Sequence, residues 1–182
     1  MPRISSEFRE QVKSLSKDDL EKIILKVAAK EKSVYDYLVL NYFDKEGGEQ
    51  DLVEEVKSDL DDLFMKNYKG YAPELKLANM VAACTKRINE FSKISSNKKH
   101  EADLLVYILD VPFSKNSKLF GTCFTAYDQK VTVMLKRLIT IVTTKIDPDY
   151  LIDYQDKINK YLEIIHHESD FLEYVRSLPR AI

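Results

Sequence analysis

The chain has 182 residues, with 28 Lys and Arg against 30 Asp and Glu and a formal charge of -2. A hydrophobic content of 45%, with 11 Tyr and 8 Phe, excludes a disordered chain. The balanced charge excludes a polybasic nucleic-acid glue, and two cysteines exclude a disulfide framework.

Only four Gly and five Pro are present, and they cluster, leaving long stretches with apolar residues at helical spacing. A short helix is expected over 5–14. Ser16 with Asp19 forms a capping-box pattern that opens a second helix, with Leu20, Ile23, Ile24, Val27 and Ala28 on one stripe. Ser33 with Asp36 repeats the signal and opens a third helix to about Asp44. Its apolar residues, Val34, Tyr35, Tyr37, Leu38, Leu40, Tyr42 and Phe43, surround most of the helix, which predicts a central position.

After Gly47–Gly48 comes an acidic helix with the stripe Leu52, Val53, Val56, Leu60, Leu63 and Phe64. Pro73 suits the first turn of the next helix, which runs to about Ile94 with Leu77, Ala78, Val81, Cys84, Ile88 and Phe91 inward. Periodicity alone does not settle 100–110, and helix is preferred there because a lone strand has no partner. The longest helix is expected over 121–146, with Phe124, Tyr127, Val131, Met134, Leu135, Leu138 and Val142 on its stripe. Asp147 and Pro148 form a cap and first-turn proline that open the helix carrying Leu151, Tyr154, Ile158, Tyr161, Leu162 and Ile165. A last short helix carries Phe171, Leu172 and Val175.

The expected fold is therefore all-α: antiparallel helical hairpins, either HEAT-like or a compact multi-helix bundle. The length suits a single domain over 1–182, with a soft division near 67–73. Residues 1–15 lack the apolar segment of a secretory signal, and no apolar run approaches the ~20 residues of a membrane span. Cys84 and Cys123, without a CxxC, fit a reducing compartment, so a cytoplasmic, bacterial protein is expected.

The stretch LSKDDLEKIILKVAAKEKSVYDYLVLNYF, Leu15 to Phe43, resembles a HEAT-type helical hairpin. The resemblance covers about 29 of 182 residues and implies a helical-repeat fold and a binding role, with no active residues. The long last helices depart from HEAT spacing.

Several residues are candidates for chemistry. Glu163-x-x-His166 has the spacing of di-iron bundle proteins, but no second such pair occurs. His100, His166 and His167 would make a three-histidine zinc set if folding united them; His166 and His167 otherwise suit a helix C-terminus. Cys123, at the expected start of the 121–146 helix, is a candidate thiolate or else a core residue. Asp51 with Glu54, and Asp59 with Asp62, have the i, i+3 spacing by which all-α nucleotide pyrophosphohydrolases hold Mg2+, with Glu55 beside them and Glu46/Glu49 nearby. The ordinary role of such a run is a solvated acidic face.

Charge is uneven along the chain. Residues 73–146 carry 12 Lys and Arg against 6 Asp and Glu, whereas 1–72 carry 12 against 16 and 147–182 carry 4 against 8. The basic middle could form a phosphate-binding stripe or pair with the acidic flanks. There is no Trp, no Walker motif and no HExxH.

The leading expectation is a non-catalytic protein-interaction or scaffold module, with no cofactor and with self-association as one form of partnership. Arg87, Tyr127, Lys130 and Arg137 are the candidate interaction residues. One alternative is a Mg2+-dependent nucleotide enzyme using Asp51, Glu54, Glu55, Asp59 and Asp62. The other is nucleic-acid binding through 73–146. No membrane partner is expected.

Overall fold

The computed structural model describes residues 4–44, 47–169 and 172–182; Glu46 and Phe171 lie outside the described residues. Among the described residues the protein is all-α, without strands, and no helix is long and apolar enough to cross a membrane. It divides into two compact units, Met1–Gly48 and Glu49–Ile182. Residues 66–72 join two helices inside the second unit, and the boundary between the units falls at the glycine pair.

The first unit contains α1 (Ser6–Lys13), α2 (Lys17–Lys30) and α3 (Lys32–Leu38), the last continued by a π-helical turn over Val39–Phe43. Ser16 caps α2 as expected, its hydroxyl accepting from the Asp19 N–H and donating to the Asp19 carboxylate. The Ser33 cap does not form. Helix α3 starts two residues earlier, after the extended Glu31, and Asp36 instead accepts from Lys32 at 3.0 Å. The predicted burial also fails here. Ile23, Ile24, Val27, Tyr35, Tyr37, Tyr42 and Phe43 are exposed, Phe43 to 76%, and Leu40 alone of the unit's described large apolar residues is buried. Fewer than 50 residues in short helices offer few facing surfaces, so an apolar stripe need not find cover within its own unit.

The second unit contains α4 (Gly47–Met65, whose first two residues belong to the first unit), α5 (Pro73–Ile94), α6 (Lys98–Asp110), α7 (Ala126–Thr144), α8 (Leu151–Glu168) and α9 (Leu172–Val175). Pro73 opens α5, and the Asp147 carboxylate accepts from the Asp149 N–H ahead of α8. Segment 100–110 is helical, as preferred, and Asn97 caps it by accepting from the Lys99 and His100 N–H groups. At its end the chain widens into a π-helical turn, Val111–Lys115, around Pro112, which has no N–H to donate.

Helix α7 is shorter than the expected 121–146, and the 22-residue α5 is the longest. The cause is local. Gly121 adopts a φ of 73°, a left-handed conformation that breaks a helix, and its N–H donates to the Asp128 carboxylate at 3.0 Å. The preceding residues thus form a turn folded back onto the helix start.

Helix α7 is the hub of this unit, touching α5, α6, α8 and α9. Its stripe, Tyr127, Val131, Met134, Leu135, Leu138 and Val142, is buried, as are Leu104, Leu105, Ile108 and Leu109 of α6 and Ile88 and Phe91 of α5. Each such side chain contributes roughly 1.5–3 kcal/mol through burial. Helix α8 is held to α6 by polar bonds: Tyr154 donates to Asp103 at 2.6 Å, Tyr161 to Asp110 at 2.5 Å, and Lys157 pairs with Asp110 at 2.8 Å. Burial, and then the facing carboxylates, push both tyrosine hydroxyls well above their ordinary range.

Candidate ligand-binding groove

Helices α5, α6 and α7 pack mutually and leave two adjoining clefts on one side, of about 370 and 440 Å3. Both are lined by Val133 and Arg137, so they form one groove along α7. The residues of α7 that line it include Lys130, Val133, Met134, Arg137, Thr140 and Ile141, followed by Lys145 just past the helix end. Their spacing follows i, i+3, i+4, i+7, so one helical face supplies one wall. Ala82, Thr85, Asn89 and Ser92 of α5 supply the other by the same rule. Leu105 and Glu101 of α6, both buried, lie at the floor.

The two halves differ in chemistry. The first holds Ala82, Leu105, Val133 and Met134 beside Thr85, Asn89, Gln129 and one lysine, Lys130. The second holds Lys98, Lys136 and Lys145 with Ser92 and Thr140.

Arg137 stands where the halves meet, fixed by neighbours from both other helices. Its Nε and Nη2 both donate to Glu101 Oε1, at 2.9 and 2.7 Å. Its Nη1 donates to Asn89 Oδ1 at 2.6 Å, and Nη2 also donates to Ser92 Oγ at 2.9 Å. Four of the five guanidinium N–H donors are thereby used within the protein. The second Glu101 oxygen accepts from Lys98 at 2.6 Å. Burial alone would raise the Glu101 carboxyl. The bonds and charges from Lys98 and Arg137 outweigh it and hold the group below its ordinary value. Glu101 is only 3% exposed, so this carboxylate ties α6 to α7. Two cations around one carboxylate leave the groove positive. Lys130, Lys136 and Lys145 add to that charge and make no ion pair among the described residues.

The four candidate interaction residues separate. Lys130 and Arg137 line the groove together. Arg87 lies elsewhere on α5 and is held by α4, donating to Asp59 at 2.6 Å and facing Glu55 at 3.5 Å. Tyr127 presents no surface at all: it is 0% exposed, stacks on Phe120 at 4.9 Å, and its hydroxyl has no hydrogen-bond partner among the described residues. Burial pushes that hydroxyl far above its ordinary range. A tyrosine at a regular apolar position of the hub helix is core, and its polar tip misled the sequence reading.

The carboxylates proposed for Mg2+ do not converge. No three His, Cys, Asp or Glu side chains among the described residues form a metal-holding group. Glu55 and Asp59 turn to Arg87, Glu54 accepts from Gln50 and Lys57, and Asp51 and Asp62 are exposed. The histidines are also dispersed. His166 bonds the Pro179 carbonyl at 3.0 Å, His167 meets Glu168 at 3.1 Å, and His100 faces Glu49 at 3.6 Å. Cys123 is exposed in the turn before α7, not at its start, and Cys84 is buried, its thiol pushed up to about 12.

Lys98, Glu101, Asn89 and Ser92 were the members sequence reasoning missed as a group. The signal available was the i, i+3 pair Lys98/Glu101 and a lone Arg on the hub helix, and neither reveals a partner 36 or 48 residues away. No protein-family model, no curated protein and no solved structure matches this chain.

Proposed function

We propose that this protein is a non-catalytic binding module that holds a segment of a protein partner in the groove between α5 and α7. The observation that supports this is the character of the groove. It is long and open, with an apolar half and a polar half, and Val133, 54% exposed, lies where both halves meet. Apolar contact with a few fixed polar groups suits a helix or strand laid into a groove. Arg137, locked on both sides, gives the site a rigid centre, which lowers the ordering cost of binding. A HEAT-type hairpin over 15–43 is part of this proposal, and the adjoining helices α2 and α3, separated by Glu31 alone, are compatible with it. A cytoplasmic site of action accompanies it.

Panning a random 16-residue peptide library against the full chain tests the proposal. Enriched peptides are expected to lose binding to Val133→Asp and to keep it for Ile152→Asp, a change at an exposed position on α8. Peptides that bind both variants equally, or no enrichment at all, overturn the proposal.

A further inference from the structure

We infer that the occupant of the groove is an acidic amphipathic helix, seated with apolar side chains over Val133 and carboxylates over Lys136 and Lys145. This rests on the protein-binding reading above and names the partner's chemistry. Three observations carry it.

The first is charge. The groove holds Lys98, Lys130, Lys136, Arg137 and Lys145 against the single carboxylate Glu101. Lys130, Lys136 and Lys145 make no ion pair among the described residues, and the nearby carboxylates have other partners: Glu55 and Asp59 go to Arg87, and Asp110 goes to Lys157 and Tyr161. The three free lysines therefore await negative charge from another molecule, and complementary potential is what steers such a partner in.

The second is the order of groups along one helix: Lys130 and then exposed Val133 in the first half, Lys136 and Lys145 in the second. From Lys130 to Lys145 the α7 axis advances about 23 Å, the length of roughly 16 helical residues. An occupant that satisfies both halves has apolar residues in one part and carboxylates in the other, on the same face.

The third is the absence of aromatic side chains among the residues that line the groove. Single-stranded nucleic acids bind largely by base stacking on aromatic rings, and this groove offers none. Its first half presents exposed Val133 and half-buried Ala82 above the buried Met134 and Leu105, which suits aliphatic side chains instead.

The test uses the full chain and fluorescein-labelled 16-residue helical peptides read by anisotropy. One peptide carries Leu in its first half and Glu on the same face of its second half, and another has the order reversed. Matched versions replace every Glu by Gln, and a 16-nucleotide single-stranded DNA serves as the competing class. One of the two acidic peptides is expected to bind at least about tenfold more tightly than its Gln version at 50 mM salt. Lys136→Glu with Lys145→Glu should remove about that tenfold advantage while the Gln version binds unchanged. Both lysines are exposed, so these variants fold.

If the Gln versions bind as well as the acidic ones and still depend on Val133, the acidic partner is wrong and the protein-binding reading stands. Should the DNA bind more tightly than any peptide and lose affinity with the same lysine changes, the groove belongs to nucleic acid and both readings fall. A wild-type dimer in sedimentation that Lys136→Glu dissociates would assign the groove to a second copy and overturn the inference. Peptides that enrich in panning through Val133 yet carry no excess of Asp and Glu overturn it as well.

Discussion

Arg137→Ala removes the link between α7, α5 and the buried Glu101. Breaking a buried ion pair by deleting one partner costs about 3–5 kcal/mol, because the remaining charge is left in low dielectric. Two features reduce that figure here. Lys98 still donates to Glu101 at 2.6 Å, and the Arg137 side chain is 27% exposed, so water screens part of the interaction. The expected loss is about 2 kcal/mol, or a fall in Tm of roughly 4–8 °C for a chain of this size. Thermal unfolding followed by circular dichroism, with a urea titration at 25 °C, measures it. Lys136→Ala, one residue away and exposed, is the control and should stay within about 0.5 kcal/mol of the parent. A fall in Tm below about 2 °C for Arg137→Ala, or an equal fall for both variants, refutes the idea that Arg137 is a structural tie. Because Arg137 serves the fold, groove binding is better tested at Val133, Lys136 and Lys145.

The remaining predictions draw on other parts of the second unit. Tyr127→Phe should stabilise the protein by about 1 kcal/mol, since it deletes a buried hydroxyl with no partner; a clear loss in urea unfolding would show that the hydroxyl is bonded. Tyr161→Phe should cost about 1 kcal/mol by removing the bond to Asp110, and an unchanged urea midpoint would contradict that bond. Glu101 has a folded-state pKa below its unfolded value, so its contribution is present above the unfolded value and disappears as pH falls through the folded one. Glu101→Gln should accordingly flatten the acid limb of stability against pH, and parallel limbs for the two proteins would count against the carboxylate's role. A thiol reagent at pH 8 should modify exposed Cys123 rapidly in the folded protein and buried Cys84 only after denaturation; equal rates would contradict the burial.

The boundaries of the helices were legible because they depend on local chemistry. Pro73, Asp147 with Pro148, and Ser16 with Asp19 each act within one turn. Their expected positions match the observed ones. The start of α7 was misjudged because the determinant is not local to the helix. The Asp128 carboxylate binds the Gly121 N–H, and the helix begins only after that loop closes.

Burial was legible in α5, α7 and α8 and illegible in the first unit, although the periodicity is equally clear in both. A 3.6-residue period reveals that a stripe exists, not what faces it, and Ile23, Ile24 and Val27 have an apolar stripe without cover. The groove was half legible. Lys130 and Arg137 were picked from the basic stretch of α7. Their company depends on contacts with Asn89, Ser92 and Glu101 that cross 36 to 48 residues of sequence. Arg87 and Arg137 look alike as letters. One faces the carboxylates of α4 and the other those of α6, and only the packing of α5 decides which.

Hydrogen exchange on the full chain, with and without the acidic peptide that binds best, tests the central claim most directly. The account predicts slowed exchange at 82–92 of α5 and 130–145 of α7, with α8 unchanged. Protection confined to other helices, or none at a saturating peptide concentration, would contradict the assignment of the groove as the binding site.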